Sequence, residues 1–443
     1  MDQVLIVGGG FAGLAAGVAL AGAGRQVRLL EQKPHLGGRA CSFLEPTTGS
    51  VVDNGQHILM GCYHATLRFL QEIRTLDRIG LQPRLRMQFL ERPGRVTTLE
   101  CPCLPAPWHL LLGVLRSDSF TWREKREIFR LGRAVKAADD AREGIGRLSV
   151  EEWLTRLGQS EKLRRNFWDL LSIAALNEDP QRAAAALFKR VLRLVLFTSP
   201  ADSRLAIPRV GMSECYTAAA AAYITARGGR VELGRNVTGF VMAEGVCEGV
   251  RLAEGEKIEA ATVVSAVPWF GLVKLLPGDL LRSEPYFTNL LALRPTPIIS
   301  LNLWFDRPVT DLDFVGLRGT TVQWLFNTGK IHGSGDNHVT LVLSGAHAHV
   351  GRPKEELLAG AWRELGELLP AAREAKLVHS LVIKERYATF SPGVGVEEMR
   401  PATRTPVRGF YLAGDWTATG LPATIEGAVE SGYAAAQEIL QAG

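Results

Sequence analysis

The sequence predicts an α/β fold in which the two ends of the chain form one domain and the middle is inserted into it. A buried strand, a glycine-rich turn and an alanine-rich helix open the chain, and a second strand follows at 27–31. The same pattern returns at the far end, where strand 410–413 and a glycine precede a helix at 426–440. Between these ends, residues 61–204 have helical patterning and strand patterns are prominent in 271–384.

Two helix starts are predicted in the central helical stretch. Thr121 and Ser149 are each followed three residues later by a glutamate, Glu124 and Glu152. This spacing is typical of a capping box, in which the hydroxyl and the carboxylate each accept a hydrogen bond from a backbone N–H group at the helix start.

The composition is that of an ordinary globular protein. Of the 443 residues, 46% are hydrophobic and 22% are charged, which excludes disordered and collagen-like chains. The formal net charge of +5 is too small to indicate a nucleic-acid partner. Six dispersed cysteines form no disulfide framework, and no metal site is predicted. No apolar run reaches the roughly 18 residues that span a bilayer, and the early strand leaves no room for a signal peptide, so we expect a cytoplasmic protein.

The opening turn carries a dinucleotide-binding pattern. Three glycines in a G-x-G-x-x-G spacing follow the first strand and open the first helix, and an acid ends the second strand 18 residues later. Glycine permits the tight turn and the close approach of a pyrophosphate, the helix N-terminus favours its charge, and the acid accepts from a ribose hydroxyl. The predicted binding residues of this unit are Gly8, Gly10, Phe11, Ala12, Gly13, Glu31 and Gln32.

Two further motifs identify the cofactor by resemblance. The segment Gly37-Gly38-Arg39-Ala40 and the pair Gly414-Asp415 resemble the FAD-binding amine oxidase superfamily, which includes the carotenoid desaturases. The resemblance implies that FAD is the cofactor and that the last helix points its N-terminus at the flavin ring. The residues that it adds to the cofactor site are Gly38, Arg39, Gly55, Gln56, His57, Val237, Gly414, Asp415, Thr424 and Ile425.

With this resemblance, the chain is predicted to contain three regions. Residues 1–60, 205–270 and 385–443 form a discontinuous, Rossmann-like FAD-binding domain. Residues 61–204 form a largely helical subdomain that faces substrate or membrane, and residues 271–384 form an inserted β-sheet domain that binds substrate.

Two longer stretches narrow the resemblance. Asp53-Asn-Gly-Gln-His57 and the segment 413–428 are similar to the squalene-associated, desaturase-like flavoproteins within this superfamily. The resemblance implies reduction of 12-hydroxysqualene to squalene, by hydride transfer from N5 of reduced flavin to an allylic cation, in squalene and hopanoid synthesis. Plant-type phytoene desaturases share much of both stretches, so an oxidative phytoene or carotenoid-type desaturase is the alternative.

Two other functions fit the sequence less well. Amine oxidases resemble one another in a strand lysine near flavin N5, and Ser300 stands at the corresponding position here. A non-catalytic FAD-bearing protein of a lipid pathway is the remaining alternative, and it would be favoured by a flavin sealed from any cavity.

Candidate catalytic and substrate-binding residues have alternative structural roles. His57 lies in the predicted flavin-facing loop and would protonate a leaving hydroxyl, or else hold the loop or the cofactor by hydrogen bonds. Trp304, Trp324 and Phe326 lie on predicted strands of the substrate domain, where they would line the substrate cavity or simply pack in the core.

An apolar C30 isoprenoid substrate implies contact with a membrane. The stretch 101–115 is uncharged and contains Trp108, and the stretch 188–197 mixes basic with large apolar residues, so either would serve as an interfacial segment or pack on the core. We expect peripheral attachment to the inner face of the membrane. A second glycine fingerprint is missing from the sequence, so electrons would come from free NAD(P)H or a separate donor.

Overall fold

The computed structural model describes residues 3–91, 94–137 and 144–442. Its strands are β1 (Val4–Val7), β2 (Val27–Leu30), β3 (Ser42–Leu44), β4 (Val51–Asp53), β5 (Leu59–Met60), β6 (Ile79–Leu81), β7 (Arg86–Glu91), β8 (Arg95–Glu100), β9 (Leu205–Pro208), β10 (Arg230–Glu232), β11 (Val237–Ala243), β12 (Val246–Leu252), β13 (Lys257–Glu259), β14 (Thr262–Ser265), β15 (Pro295–Phe305), β16 (Phe314–Leu317), β17 (Trp324–Phe326), β18 (His338–Leu343), β19 (Leu377–Phe390) and β20 (Phe410–Leu412).

The α-helices span Phe11–Gly22, His64–Glu72, Trp108–Arg116, Trp122–Lys136, Val150–Arg156, Glu161–Leu163, Asp169–Leu176, Ala185–Phe197, Met212–Thr225, Trp269–Leu275, Gly278–Ser283, Pro285–Thr288, Thr328–His332, Lys354–Leu368, Pro370–Glu374 and Ile425–Ala442. Short 3₁₀ turns lie at Leu76–Arg78, Ile145–Arg147, Asn289–Ala292 and Val396–Glu398, and a π turn lies at Arg164–Trp168.

A five-stranded parallel sheet joins the two ends of the chain. Its order is β10-β2-β1-β14-β20, so strands from three separate stretches of sequence lie side by side. The first helix (Phe11–Gly22) and the last helix (Ile425–Ala442) pack closely on one another. They are so close that a Cβ on Gly432 would lie only 2.3 Å from the carbonyl oxygen of Ala12. The predicted α/β class and the βαβ opening are confirmed.

A seven-stranded sheet of order β19-β15-β18-β17-β16-β7-β8 forms the second layer. Leu301 and Leu303 of β15 point to one face, where they pack in a core with the helix Lys354–Leu368. The opposite face carries Ser300, Asn302 and Trp304 and looks toward the β3–β4 hairpin. Strands β7 and β8 come from residues 61–204, which were predicted to be largely helical. They pair with one another and, through β7, with β16, so the sheet extends beyond the predicted range 271–384.

The helical region packs around an apolar core that it shares with one face of the seven-stranded sheet, and Trp153 and Phe188 make an edge-to-face contact in this core. Both predicted capping boxes are confirmed, since Thr121 with Glu124 and Ser149 with Glu152 each make the reciprocal backbone hydrogen bonds. Within the described part of the chain, none of the helices is both long and apolar enough to cross a bilayer.

Candidate cofactor and active site

The turn between β1 and the first helix has the shape that a dinucleotide phosphate requires. Gly8 has a φ of +111°, and a Cβ on Gly13 would lie 1.9 Å from the carbonyl oxygen of Gly8. Gly10 takes the N-cap position and has no side chain with which to cap the helix. The first N–H groups of the helix are therefore available to an anion.

Phe11 stands in this turn, but its side chain serves the core. The ring stacks on Tyr216 with centroids 3.7 Å apart, so Phe11 would meet a cofactor only through its backbone. The hydroxyl of Tyr216 donates to the carbonyls of Gly37 and Ala40 at 2.9 and 3.1 Å. Tyr216 thus supports residues 37–40, which form a second glycine loop. Its place in an alanine-rich helix did not reveal this role.

The acid at the end of β2 is held against the glycine turn. The carboxylate of Glu31 is buried and accepts from the N–H of Gly9 at 2.7 Å. The N–H of Arg235 donates to the carbonyl of Glu31 at 2.8 Å. This bond brings Val237, the first residue of β11, close to the end of β2. The neighbouring Gln32 has an exposed side chain. Glu31 and Val237, which are far apart in sequence, therefore lie at one end of the predicted cofactor site.

The second glycine loop connects the turn to the far end of the chain. Gly38 has a φ of +59°, and a Cβ there would lie 3.3 Å from the Cα of Gly10. Arg39 donates to the Oδ1 of Asp415 at 2.5 Å and to the carbonyl of Ala388 at 2.7 Å. The two motifs that carry the resemblance to the amine oxidase superfamily thus meet in an ion pair.

A buried arginine organises the loop after the last strand. The guanidinium of Arg400 is fully buried and donates to the carbonyls of Asp415 and Leu421 at 3.1 and 2.7 Å, and also to the carbonyl of Thr417. A Cβ on Gly414 would lie 2.4 Å from the Nε1 of Trp416, so glycine is required there. Arg400 is not among the predicted site residues, because nothing local in the sequence shows which carbonyls it binds.

The last helix begins beside this loop. The hydroxyl of Thr424 accepts from the N–H of Gly427 at 3.0 Å, and Ile425 is the first helical residue. Glu426 turns away into the protein, where its carboxylate accepts from two N–H groups at the start of the helix His64–Glu72. Burial raises the pKa of Glu426.

The loop after β4 is fixed by Asp53. Its Oδ1 accepts from the hydroxyl of Ser42 at 2.6 Å and from the N–H of Met212 at 2.9 Å. Asn54 donates to the carbonyl of Arg39 at 3.1 Å, which joins this loop to the second glycine loop. Gly55 follows, and a Cβ there would meet nothing within 4 Å.

Gln56 and His57 follow in the same loop. Of the residues that the structure describes, none gives a hydrogen-bond partner to the buried Nε2 atoms of Gln56 and His57. Burial lowers the pKa of His57, the nearby carboxylate of Asp53 opposes this change, and Arg39 adds to it. His57 is therefore neutral at pH 7, which favours a hydrogen bond to the cofactor over proton donation by an imidazolium.

The three predicted cavity aromatics lie on the sheet face that looks toward this loop. Trp304 donates to the hydroxyl of Ser50 at 3.0 Å and stacks on His338 with ring centroids 4.2 Å apart. Trp324 and Phe326 lie two strands away on β17 and pack in the core shared with the helical region. Trp304 is therefore engaged by polar neighbours, whereas the other two have mainly apolar surroundings.

The residues of this site fit FAD. The glycine cradle would be filled by any Cβ, the first helix offers uncapped N–H groups, and buried amide and imidazole nitrogens lack protein partners in the described chain. The groups that would hold the phosphates, the ribose and the ring side are Gly8, Gly10, Gly13, Glu31, Gly38, Arg39, Gln56, His57, Gly414 and Asp415.

Comparisons with known proteins agree with this assignment. The family model described as flavin containing amine oxidoreductase matches residues 11–440. A hydroxysqualene dehydroxylase of Rhodopseudomonas palustris is 30% identical over 99% of this chain and 99% of its own length. A 15-cis-phytoene desaturase of Synechococcus elongatus is 29% identical over 99% of this chain and 96% of its own length.

Solved structures share the fold at lower identity. An oxidoreductase from Methanosarcina mazei has a TM-score of 0.75 at 16% identity and covers 99% of this chain and 100% of its own. A triple mutant of putrescine oxidase has a TM-score of 0.74 at 18% identity and covers 100% of this chain and 99% of its own. Both likenesses extend over nearly the whole chain.

We expect Glu31→Gln to weaken FAD binding about tenfold, because the amide loses a charge-assisted acceptor next to the glycine turn. Fluorescence titration of the apoprotein with FAD measures the change. Glu232→Gln is the matched control, since Glu232 ends the adjacent strand β10 but pairs with Arg28 at the surface. Equal affinities of the Glu31→Gln variant and the wild type would contradict this role of Glu31.

The fold, the glycine cradle and the family match lead to the same conclusion. The predicted FAD cofactor and the predicted superfamily are confirmed by a match that spans nearly the whole chain. This chain belongs to the family of flavin containing amine oxidoreductases, and it is an FAD-dependent oxidoreductase.

Proposed function

We propose that this protein reduces 12-hydroxysqualene to squalene. In this reaction the C–O bond of an allylic alcohol breaks, the oxygen takes up a proton and leaves as water, and a C–H bond forms at the same carbon. Reduced FAD, when bound, supplies the hydride and loses two electrons. The relative from Rhodopseudomonas palustris, which is similar over its full length, supports this assignment.

The observation that carries the proposal is the apolar wall beside the cofactor loop. Ile58, Met60, Ile207 and Ile298 are only half-buried, yet they pack against the core that contains Trp324. Half-buried aliphatic side chains within a packed region are typical of the lining of an apolar ligand site. A long hydrocarbon substrate suits such a wall, and a small polar amine does not.

Oxidative desaturation of phytoene is the second candidate. The 15-cis-phytoene desaturase of Synechococcus elongatus is almost as similar and over almost the same extent. An apolar wall serves a hydrocarbon equally well. What favours the alcohol is a set of buried polar atoms on the same sheet face that have no hydrogen-bond partner among the described residues, including the Oγ of Ser300 and the Nδ2 of Asn302.

We expect the dithionite-reduced, anaerobic holoenzyme to be reoxidised by 12-hydroxysqualene with the formation of one squalene per flavin. The flavin absorbance near 450 nm reports the oxidation, and extracted lipid reports the product. Squalene added to the same reduced enzyme is the control, because it has no leaving group. Two results together would contradict the proposal: the flavin stays reduced when the alcohol is added, and phytoene reduces the flavin of the oxidised enzyme. The protein would then be a phytoene desaturase.

The lowered pKa of His57 makes a prediction about pH. The pKa of His57 lies below its usual value of about 6.5, so the ring is mostly neutral from pH 6.5 to 8.5. The rate of this reoxidation should therefore stay constant over that range. His57→Gln keeps a hydrogen-bond donor and should have a profile of the same shape. A wild-type rate that falls about tenfold per pH unit, with no such fall in the variant, would make His57 the proton donor instead.

An apolar C30 substrate also implies contact with a membrane, and the helical region carries a surface suited to that contact. Trp108 and Trp122 are 58% and 72% exposed and lie at the starts of consecutive helices, followed by Arg116 and Arg123. Exposed tryptophan next to basic residues is typical of an interfacial surface. In the stretch 188–197, by contrast, Phe188, Leu192 and Val195 are buried, and three further apolar residues are half-buried against the same core.

Replacing Trp108 and Trp122 by alanine together should reduce binding to liposomes that contain anionic lipid by about tenfold or more, because two interfacial rings are lost. Flotation of the holoenzyme with such liposomes measures the effect. Leu233→Ala with Val378→Ala is the matched control, since both residues are exposed and apolar but lie outside the helical region. Equal flotation of the tryptophan variant and the wild type would remove this surface as the membrane contact.

A further inference from the structure

Three side chains on one face of the seven-stranded sheet each carry a buried polar atom that has no hydrogen-bond partner among the described residues. They are Ser300 and Asn302 on β15 and Trp324 on β17, with exposed fractions of 1%, 1% and 8%. The atoms concerned are Ser300 Oγ, Asn302 Nδ2 and Trp324 Nε1. Burying a polar atom without a partner is unfavourable, so three such atoms on one face indicate a ligand that satisfies them.

The strand register places these three residues on the same face of the sheet. Ser300 and Trp324 both pair with Val342 of β18, one on each side, so all three side chains point to the same face. Two inter-strand spacings separate the Cα atoms of Ser300 and Trp324, roughly 10 Å. Asn302 is the next residue of β15 on that face.

The orientation of the Asn302 amide is fixed by its neighbours. Its Oδ1 lies 2.9 Å from the Nε2 of His338 and accepts from the hydroxyl of Thr340 at 2.8 Å. Burial lowers the pKa of His338 to about 4, so the ring is neutral. Because an amide oxygen can only accept, the contact with Oδ1 requires the tautomer that carries its proton on Nε2. With Oδ1 occupied in this way, Nδ2 is left as a donor to something outside the sheet.

The same face adjoins the cofactor loop at both ends. Trp304 contacts Ser50 on one side of the three residues, and Glu385, which pairs with Ile298, accepts from Asn54 at 3.2 Å on the other. Between these contacts, the half-buried Ile298 continues the apolar wall. The three polar atoms therefore lie on a face that has an apolar neighbour in Ile298 and that contacts the cofactor loop at both ends.

We infer that Ser300, Asn302 and Trp324 bind the single oxygen atom of an otherwise apolar substrate. This inference rests on the proposed function, because it names the residues that recognise the hydroxyl of the allylic alcohol. The three residues are positioning and specificity residues, which orient the C–O bond. They would distinguish an isoprenoid alcohol from the hydrocarbon of the same chain length.

The hydrogen-bonding capacity of an alcohol matches this set. A hydroxyl offers two acceptor lone pairs and one donor, and the Asn302 amide and the Trp324 indole each supply an N–H donor. The hydroxyl of Ser300 can accept from the substrate. A hydrocarbon at the same place would leave all three groups without partners, so we expect the site to prefer the alcohol.

The test compares two probes on the oxidised holoenzyme, where no hydride is available and binding alone is measured. Titrations with 12-hydroxysqualene and with squalene, followed by the change in flavin absorbance, give two dissociation constants. The wild type should bind the alcohol at least about tenfold more tightly than the hydrocarbon. The double variant Ser300→Ala/Trp324→Phe should lose about tenfold for the alcohol and less than about twofold for squalene, because it removes only groups that lack protein partners.

Thr75→Val is the matched control. Thr75 is also buried, and its hydroxyl also lacks a partner among the residues described, but it follows the helix His64–Glu72 outside the site. This variant should bind both probes as the wild type does. Asn302 is left unchanged, because its loss would also remove the acceptor of His338 and Thr340.

The outcomes separate the inference from the proposed function. Equal affinity of the wild type for both probes, or equal losses for both in the double variant, would overturn the inference. A selective loss for the alcohol in an enzyme that does not reduce it would uphold the inference and overturn the proposed reaction. A selective loss together with turnover would support both.

Discussion

The ion pair between Arg39 and Asp415 joins two segments that are 376 residues apart, and the cofactor site depends on it. Arg39 belongs to the loop that packs on the phosphate turn, and Asp415 follows the last strand of the parallel sheet. Because Asp415 is buried, its charge requires such a partner. The contact therefore fixes the first and last parts of the chain relative to one another, around the place where the cofactor phosphates would lie.

Local signals in the sequence predicted the parts of the site that are themselves local. The glycine spacing, Glu31 and both capping boxes follow from chemistry within a few residues or one βαβ unit. The roles of Tyr216 and Arg400 did not, because their partners are backbone carbonyls brought close only by the tertiary fold. Strands β7 and β8 were missed for a similar reason, since their place depends on pairing with the distant β16.

The larger sheet separates two tasks by alternation along its strands. On β15, leucines at 301 and 303 pack in a core with the helix Lys354–Leu368, while the intervening residues face the cofactor loop. Packing thus fixes the position of the strand from one side, and the other side carries the polar atoms of the proposed substrate site. Sequence patterning predicted strands in residues 271–384, which include β15, but it could not show that single polar atoms of β15 lack partners, because that depends on β17, β18 and the loop after β4.

Arg400 has a consequence for how the cofactor binds. The loop that it holds has no regular secondary structure, and its carbonyl groups are satisfied by one guanidinium instead of by a helix or sheet. That loop is consequently ordered when the chain folds and not when the ligand arrives. The conformational entropy is lost in advance, so little of the cofactor's binding free energy is spent on ordering this part of its own site.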